Sequence, residues 1–289
     1  MSSSSSHAVI KPRRRGSYLY YRHALPVRVM HWINVIALTI LLLSGLNIFS
    51  AHPALYWGKS SYTGRGPVLE IGAGEDNSGT LVGVTTILGH EFVTTGLLGA
   101  AAGPDGENVE RTFPSWLTIP GGRWLAMARR WHFFFAWVLV INGLCYVAYS
   151  IGSRHFGRDL APDRADWRSI GRSFLDHLRF RHPTGEAAKR YNVLQKLTYV
   201  IVIFVLVPLT ILMGLAMSPR LDTLLPGWVG LVGGRQSART LHFIGAWLIV
   251  AFVLIHLFEA AVAGFWNELR SMITGRYRVH TESPDETAR

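Results

Sequence analysis

His242 and His256 stand fourteen residues apart within one apolar segment, residues 241–266. On an α-helix, fourteen steps of roughly 100° bring the second side chain to within about 40° of the first, so the two imidazoles share a face. At 1.5 Å per residue they are roughly 21 Å apart along the axis, most of the depth of a hydrocarbon core about 30 Å thick. Ionisable groups inside a membrane span are costly and mark function by default. Imidazole is an axial ligand of haem iron. Two imidazoles on one face at two depths therefore suit two irons, set across a membrane as steps for electrons.

The elements that must position these rings are apolar stretches. Four are long enough to cross a bilayer: 27–49, 131–151, 193–217 and 241–266. Hydrophobic residues make up 49% of the 289, and the segments between the four stretches are polar and rich in arginine, glycine and proline. This describes one all-α integral membrane bundle of four transmembrane helices, residues 21–278, preceded by a disordered arm, 1–20, and followed by a tail, 279–289. The net charge of +11 would fit nucleic acid if it were evenly spread, but it is not. The arm carries Lys11, Arg13, Arg14, Arg15, Arg22 and Arg28 and no acid. The connection between the second and third spans carries Arg154, Arg158, Arg164, Arg168, Arg172, Arg179, Arg181, Lys189 and Arg190. The long connection 50–127 leans acidic, with Glu70, Glu75, Asp76, Glu91, Asp105, Glu107 and Glu110 against Lys59, Arg65, Arg111 and Arg123. The positive-inside rule then puts both termini in the cytoplasm of a bacterial inner membrane and the 50–127 connection in the periplasm. No cleaved secretory signal is visible. The single cysteine, Cys145, excludes a disulfide within the chain and argues against thiolate metal sites, and no Cys-x-x-Cys-His is present for covalent haem.

With this topology each histidine acquires a depth. His31 lies near the inner end of the first span and His132 near the outer end of the second. His242 is outer and His256 nearer the inner side on the fourth. The four sort into an outer pair, His132 with His242, and an inner pair, His31 with His256, each able to clamp one haem iron from facing helices. His256 sits deeper than His31 unless the fourth helix continues past the interface. Arg28, Arg129 and Arg239 each precede a ligand candidate by three residues, one turn nearer the membrane edge, where haem propionates would project. Plain snorkelling explains such arginines equally simply. His90 with Glu91 could contact a metal or quinone, or be loop packing. Gly45, Gly143 and Gly245 could admit a flat cofactor or a neighbouring helix. Pro208 should distort the third span. Residues 81–103, apolar but broken by glycines, read as a re-entrant or surface-lying helix.

With these residues in place, the chain resembles the di-haem cytochrome b membrane subunits of nickel–iron hydrogenase, formate dehydrogenase and thiosulfate reductase. The resemblance rests on His31-Trp32-Ile33-Asn34, Arg129-Arg130-Trp131-His132, Tyr191-Asn192-Val193-Leu194-Gln195-Lys196 and the His242/His256 pair. The stretches 130–137, 233–243 and 270–277 are most similar to the thiosulfate-reductase-like branch. The resemblance implies two non-covalent b-type haems on His31, His132, His242 and His256. It also implies a quinone site at Tyr191, Asn192, Gln195 and Lys196, and a periplasmic molybdopterin oxidoreductase as partner. The expected role is electron transfer between the quinone pool and that partner in a respiratory chain. The alternatives are a stand-alone membrane oxidoreductase acting on a small external acceptor, and a haem-free anchor or transporter.

Overall fold

The computed structural model describes residues 16–62, 64, 66–103, 105–121, 124–179 and 192–280. Four helices are long and apolar enough to cross a membrane: Leu25–Phe49, Leu125–Gly152, Val193–Ala216 and Arg235–Thr274. Three of them contain and overrun the expected stretches, most of all the fourth, and the third matches 193–217 to within one residue. Hydropathy marks where lipid begins, whereas arginine, leucine and glutamate carry a helix on into the polar interface. The outward faces are apolar, with Phe134, Trp137, Leu254 and Ile255 exposed, and small or polar residues such as Ala37, Ser44, Asn142 and Ala238 are buried between helices. Lipid tails are as apolar as leucine, so the helices gain from close contact and internal hydrogen bonds instead.

Two irregularities shape the bundle. The third span passes through a π turn at Val202–Leu206, immediately before Val207 and Pro208, which is the form the expected proline distortion takes. The fourth is interrupted at Gly264 (φ 113°, ψ 77°) and then continues to Thr274. Gly275 ends it in the left-handed region at φ 79°, where a Cβ would lie 2.7 Å from the Tyr21 ring. The chain then forms strand β8 (Arg276–His280), antiparallel to β1 (Ser17–Tyr21). The arm and the tail are thus tied to each other at residues 17–20 and 279–280, which corrects the reading of 17–20 as disordered. The remainder of both lies outside the described residues. Arg22 holds this joint, donating to both oxygens of Glu268 at 3.0 and 3.2 Å.

The connection 50–127 corrects the all-α expectation outside the membrane. It folds as a β cap, with β2 (Ala54–Leu55), β3 (Leu69–Glu75), β4 (Leu81–Ile87) and β5 (His90–Val93) in one antiparallel sheet and β6 (Gly99–Ala102) with β7 (Asn108–Arg111) as a hairpin. The segment read as a helix at 81–103 is therefore three strands. Its local chemistry explains why. Val82, Val84, Thr85, Thr86 and Ile87 are β-branched, and Leu88 (φ 50°) and Gly89 (φ 85°) are both left-handed, as a two-residue hairpin turn requires. The cap shares a core with the bundle end, where Leu55, Ile71 and Phe113 pack with Leu46 and Phe49 of the first span and against Phe243 of the fourth.

Polar ties complete the assembly. The Gly58 carbonyl accepts from Gln236 N at 3.1 Å and Ser237 N at 3.2 Å, and Ser237 Oγ accepts from Gly58 N at 2.8 Å. Thr240 Oγ1 donates to Tyr56 O at 2.8 Å. The first turns of the fourth span are thus capped by a distant segment, because Gly234 at its own N-cap has no side chain to do so. Within the membrane, Asn142 Nδ2 donates to Met30 O at 2.8 Å and to Asn34 Oδ1 at 2.7 Å, joining the second span to the first one turn from His31. Asn142→Leu should destabilise the bundle by about 1 kcal/mol, read as an earlier unfolding midpoint in a denaturing-detergent titration. An unchanged midpoint would show the tie to be idle.

Candidate functional site

The bundle brings the four histidines together in the two expected pairs. The ring centroids of His132 and His242 are 6.1 Å apart, with planes at 68°. Those of His31 and His256 are 6.4 Å apart, with planes at 67°. The depth mismatch disappears because the fourth helix runs on to Thr274, which lowers His256 to the level of His31. An iron held at about 2 Å from each of two imidazole nitrogens sets the ring centroids about 6 Å apart, so both pairs fit a bis-imidazole iron. Among the described residues, no group of three or more His, Cys, Asp or Glu could hold a metal. A pair is enough only where a macrocycle supplies the remaining ligands.

Neighbouring helices orient the outer pair. His132 Nδ1 lies 3.1 Å from Leu41 O and 3.2 Å from Ser44 Oγ on the first span. His242 Nδ1 lies 2.8 Å from Thr210 O on the third. A carbonyl only accepts, so Nδ1 carries the proton in both rings and each Nε2 presents a lone pair. Such a bond fixes tautomer and ring angle, as in metal-ligating histidines generally. Clearance is small on both sides. A Cβ at Gly45 would sit 3.3 Å from His132 Cε1, and one at Gly214 would sit 3.1 Å from His242 Cε1. At Gly245 a Cβ would collide with Thr210 Oγ1 at 2.3 Å, whereas at Gly143 it would meet nothing within 4 Å. The close approaches at Gly45 and Gly245 are thus made by protein groups. In the inner pair, Phe252 stacks near-parallel with His256 at 6.0 Å and Trp32 meets His31 edge-on at 5.6 Å.

The arginines are engaged differently. Arg28 donates to Ile273 O. Arg239 donates to Ala54 O at 3.0 Å and to His52 O, with its guanidinium 5.5 Å over Phe49, so it also ties the cap to the fourth span. Arg129 is exposed and lies 5.8 Å over Phe133.

At the start of the third span, Asn192 caps the helix. Its side chain accepts from Leu194 N at 3.1 Å while Gln195 Oε1 accepts from Asn192 N at 3.1 Å. This capping box was readable as Asn-x-x-Gln before an apolar run. Lys196 Nζ donates to Asp166 Oδ2 at 2.8 Å. Tyr191 lies outside the described residues. His90 and Glu91 stand exposed on β5 opposite Ile87 and Thr86.

Sequence reasoning missed His23 and His155, and the fold brings His23 within electrostatic reach of both His155 and His31 of the inner pair. Burial pushes the His23 imidazole down to about 4, helped by Arg22, His31, His155 and Arg28 around it. A depressed histidine stays neutral in the fold while the unfolded chain takes up protons below its ordinary value near 6.5. Stability should therefore fall as pH drops from about 6.5 towards 4. His23→Gln should flatten that part of a stability-against-pH curve, and parallel curves would refute the assignment.

Residues 22–275 match the prokaryotic cytochrome b561 family. A protein of Azospira oryzae, provisionally named as the protein-methionine-sulfoxide reductase subunit YedZ1, is 27% identical over 257 residues, covering 89% of this chain and 98% of the relative. A Cupriavidus necator protein, provisionally named as a Ni/Fe-hydrogenase B-type cytochrome subunit, is 26% identical over 157 residues, which is 50% of this chain and 64% of that relative.

Proposed function

The chain belongs to the prokaryotic cytochrome b561 family, and from that premise we propose that it is a di-haem subunit carrying electrons between membrane quinone and a redox partner beyond the cap. Membership and the four apolar helices make it a bacterial multi-pass membrane cytochrome b with b-type haem. The observation that carries the finer reading is the pair of facing imidazoles at each of two depths, with centroids 6.1 and 6.4 Å apart.

When bound, haem supplies one-electron exchange at iron between its ferric and ferrous forms. The chain's own residues would do the rest. His132 and His242 hold the outer position with their tautomers set by Leu41 O and Thr210 O. His31 and His256 hold the inner one, with Phe252 against the latter. Arg129, exposed at the outer end, is best placed to meet a propionate, and Arg28 and Arg239 would do so only by sharing donors now on carbonyls. Asn192, Gln195 and Lys196 form the polar group at the head of the third span that would bind quinone carbonyls, with Tyr191 joining them as the sequence resemblance implies. Lys196 and Asp166 offer a proton-carrying pair there. The uneven charge placement supports a topology with the termini and this head in the cytoplasm and the cap in the periplasm. The relative named as a reductase subunit supports an oxidoreductase partner on the cap side, of the molybdopterin kind that the sequence resemblance implies.

The purified chain should contain two haems by pyridine haemochrome assay, show two midpoints in a redox titration, and be reduced by a quinol analogue. One haem per chain, or none, would refute the di-haem reading. Two haems unreactive with any quinol would refute the quinone assignment alone.

A further inference from the structure

The surface helix Arg164–Leu178, between the second and third spans, has one face held and one face bare. Its held side carries Asp166, which receives Lys196 Nζ at 2.8 Å, with Ser169, Ile170 and Ser173 half-buried. On the other side Trp167, Phe174 and Leu175 are 54%, 55% and 51% exposed, with exposed Gly171 between them. At about 100° per residue these four lie in a stripe about 100° wide. Arg168 and Arg172, both exposed, run along one flank of that stripe, and exposed Arg164 opens the helix within the stripe's own bearing, where its long side chain can snorkel to the headgroups.

We propose that this helix lies in the interfacial plane of the membrane, with the Trp167–Phe174–Leu175 stripe immersed and the three arginines on the phosphates of anionic lipids. Three observations select lipid as the occupant. The Lys196–Asp166 bridge fixes the helix against the first turn of the third span, at the edge of the bilayer and not away from it. A stripe of two aromatics and a leucine beside a row of arginines is the composition of helices that rest in a headgroup layer. The surrounding connection carries nine Lys and Arg against five Asp and Glu, and cationic side chains are drawn to an anionic leaflet and lose that attraction within a Debye length. The inference rests on the membrane reading and not on the haem or quinone assignments. One consequence touches function: lipid charge would help set the position of the third span's head through Asp166 and Lys196.

The test uses the full chain with Cys145→Ser and a nitroxide at Phe174→Cys or, separately, Ser169→Cys, reconstituted in phosphatidylcholine vesicles with or without phosphatidylglycerol. Collision with oxygen, which concentrates in lipid, is compared with collision with a water-soluble nickel chelate. Position 174 should be several-fold more accessible to oxygen than to nickel when phosphatidylglycerol is present, and position 169 should be protected from both. Substituting Arg164→Gln, Arg168→Gln and Arg172→Gln together should move position 174 towards the nickel-accessible range. Haem content and gel-filtration profile report folding separately. Nickel accessibility of position 174 in both vesicles overturns the proposal, as does protection from both probes, which would mean a protein partner. Equal immersion with and without phosphatidylglycerol overturns the anionic-lipid assignment.

Discussion

His242→Ala removes one haem and leaves the other. The prediction follows from the pairing: His132 and His242 face each other at 6.1 Å and no other described histidine ring shares their contact, while His31 and His256 form a second unit at 6.4 Å. The assay is haem per chain by pyridine haemochrome, with a redox titration to identify the component that disappears. Wild-type content of two should fall to one in His132→Ala and His242→Ala, with the same midpoint lost in both. His31→Ala and His256→Ala should remove the other midpoint. The double variant His132→Ala/His242→Ala should lose no more than either single one, because two ligands to one iron act as a unit. Loss of the same midpoint in His132→Ala and His31→Ala would contradict the pairing, and retention of both haems in His242→Ala would end it.

A leucine at Gly214 should empty the outer position while every ligand remains. A Cβ there would already sit 3.1 Å from His242 Cε1 and 3.2 Å from Nδ1, so the rest of the side chain must displace the ring. Displacement breaks the 2.8 Å bond to Thr210 O, which sets both tautomer and angle. Losing such an orienting bond typically costs 10–100-fold in metal affinity, and Gly214→Leu should show at least that loss for the outer haem alone. Gly45→Leu should act likewise through His132, at 3.3 Å. Gly143→Leu is the control, since nothing lies within 4 Å of its Cβ position. Full outer-haem binding in Gly214→Leu, or equal loss in Gly143→Leu, would show that ring clearance is not what matters.

The histidine pairs were legible because their information is periodic and collinear. Four apolar stretches give direction, direction gives depth, and depth pairs His132 with His242 and His31 with His256. The cap was not legible in that way. Residues 81–103 have the apolar content of a helix, and content alone does not register the β-branched run at Val84–Ile87 and the turn at Leu88-Gly89 that make strands. The work of Arg239 was half visible. Its spacing from His242 marked it for a carboxylate, but its carbonyl partners at His52 and Ala54 lie some 185 residues away. His23 and His155 left no signal because neither shares a helix face with the other or with His31. The bare stripe on the helix at Arg164–Leu178 was readable as a periodicity in sequence. That it stays uncovered only a fold can show.

The clasp of Gly58 on the head of the fourth span carries a consequence for how the chain is made. Gly58 N bonds Ser237 Oγ across 179 positions, so a ribosome adding 5–20 residues per second exposes Gly58 roughly 10–35 s before its partner exists. Throughout that interval the Ala54–Gly58 edge of the cap lacks its closing contacts. A nascent chain stalled before Arg235 should be clipped there by a protease on the cap side, and the finished chain should resist. The last transmembrane insertion thus doubles as the locking step of a domain translated much earlier.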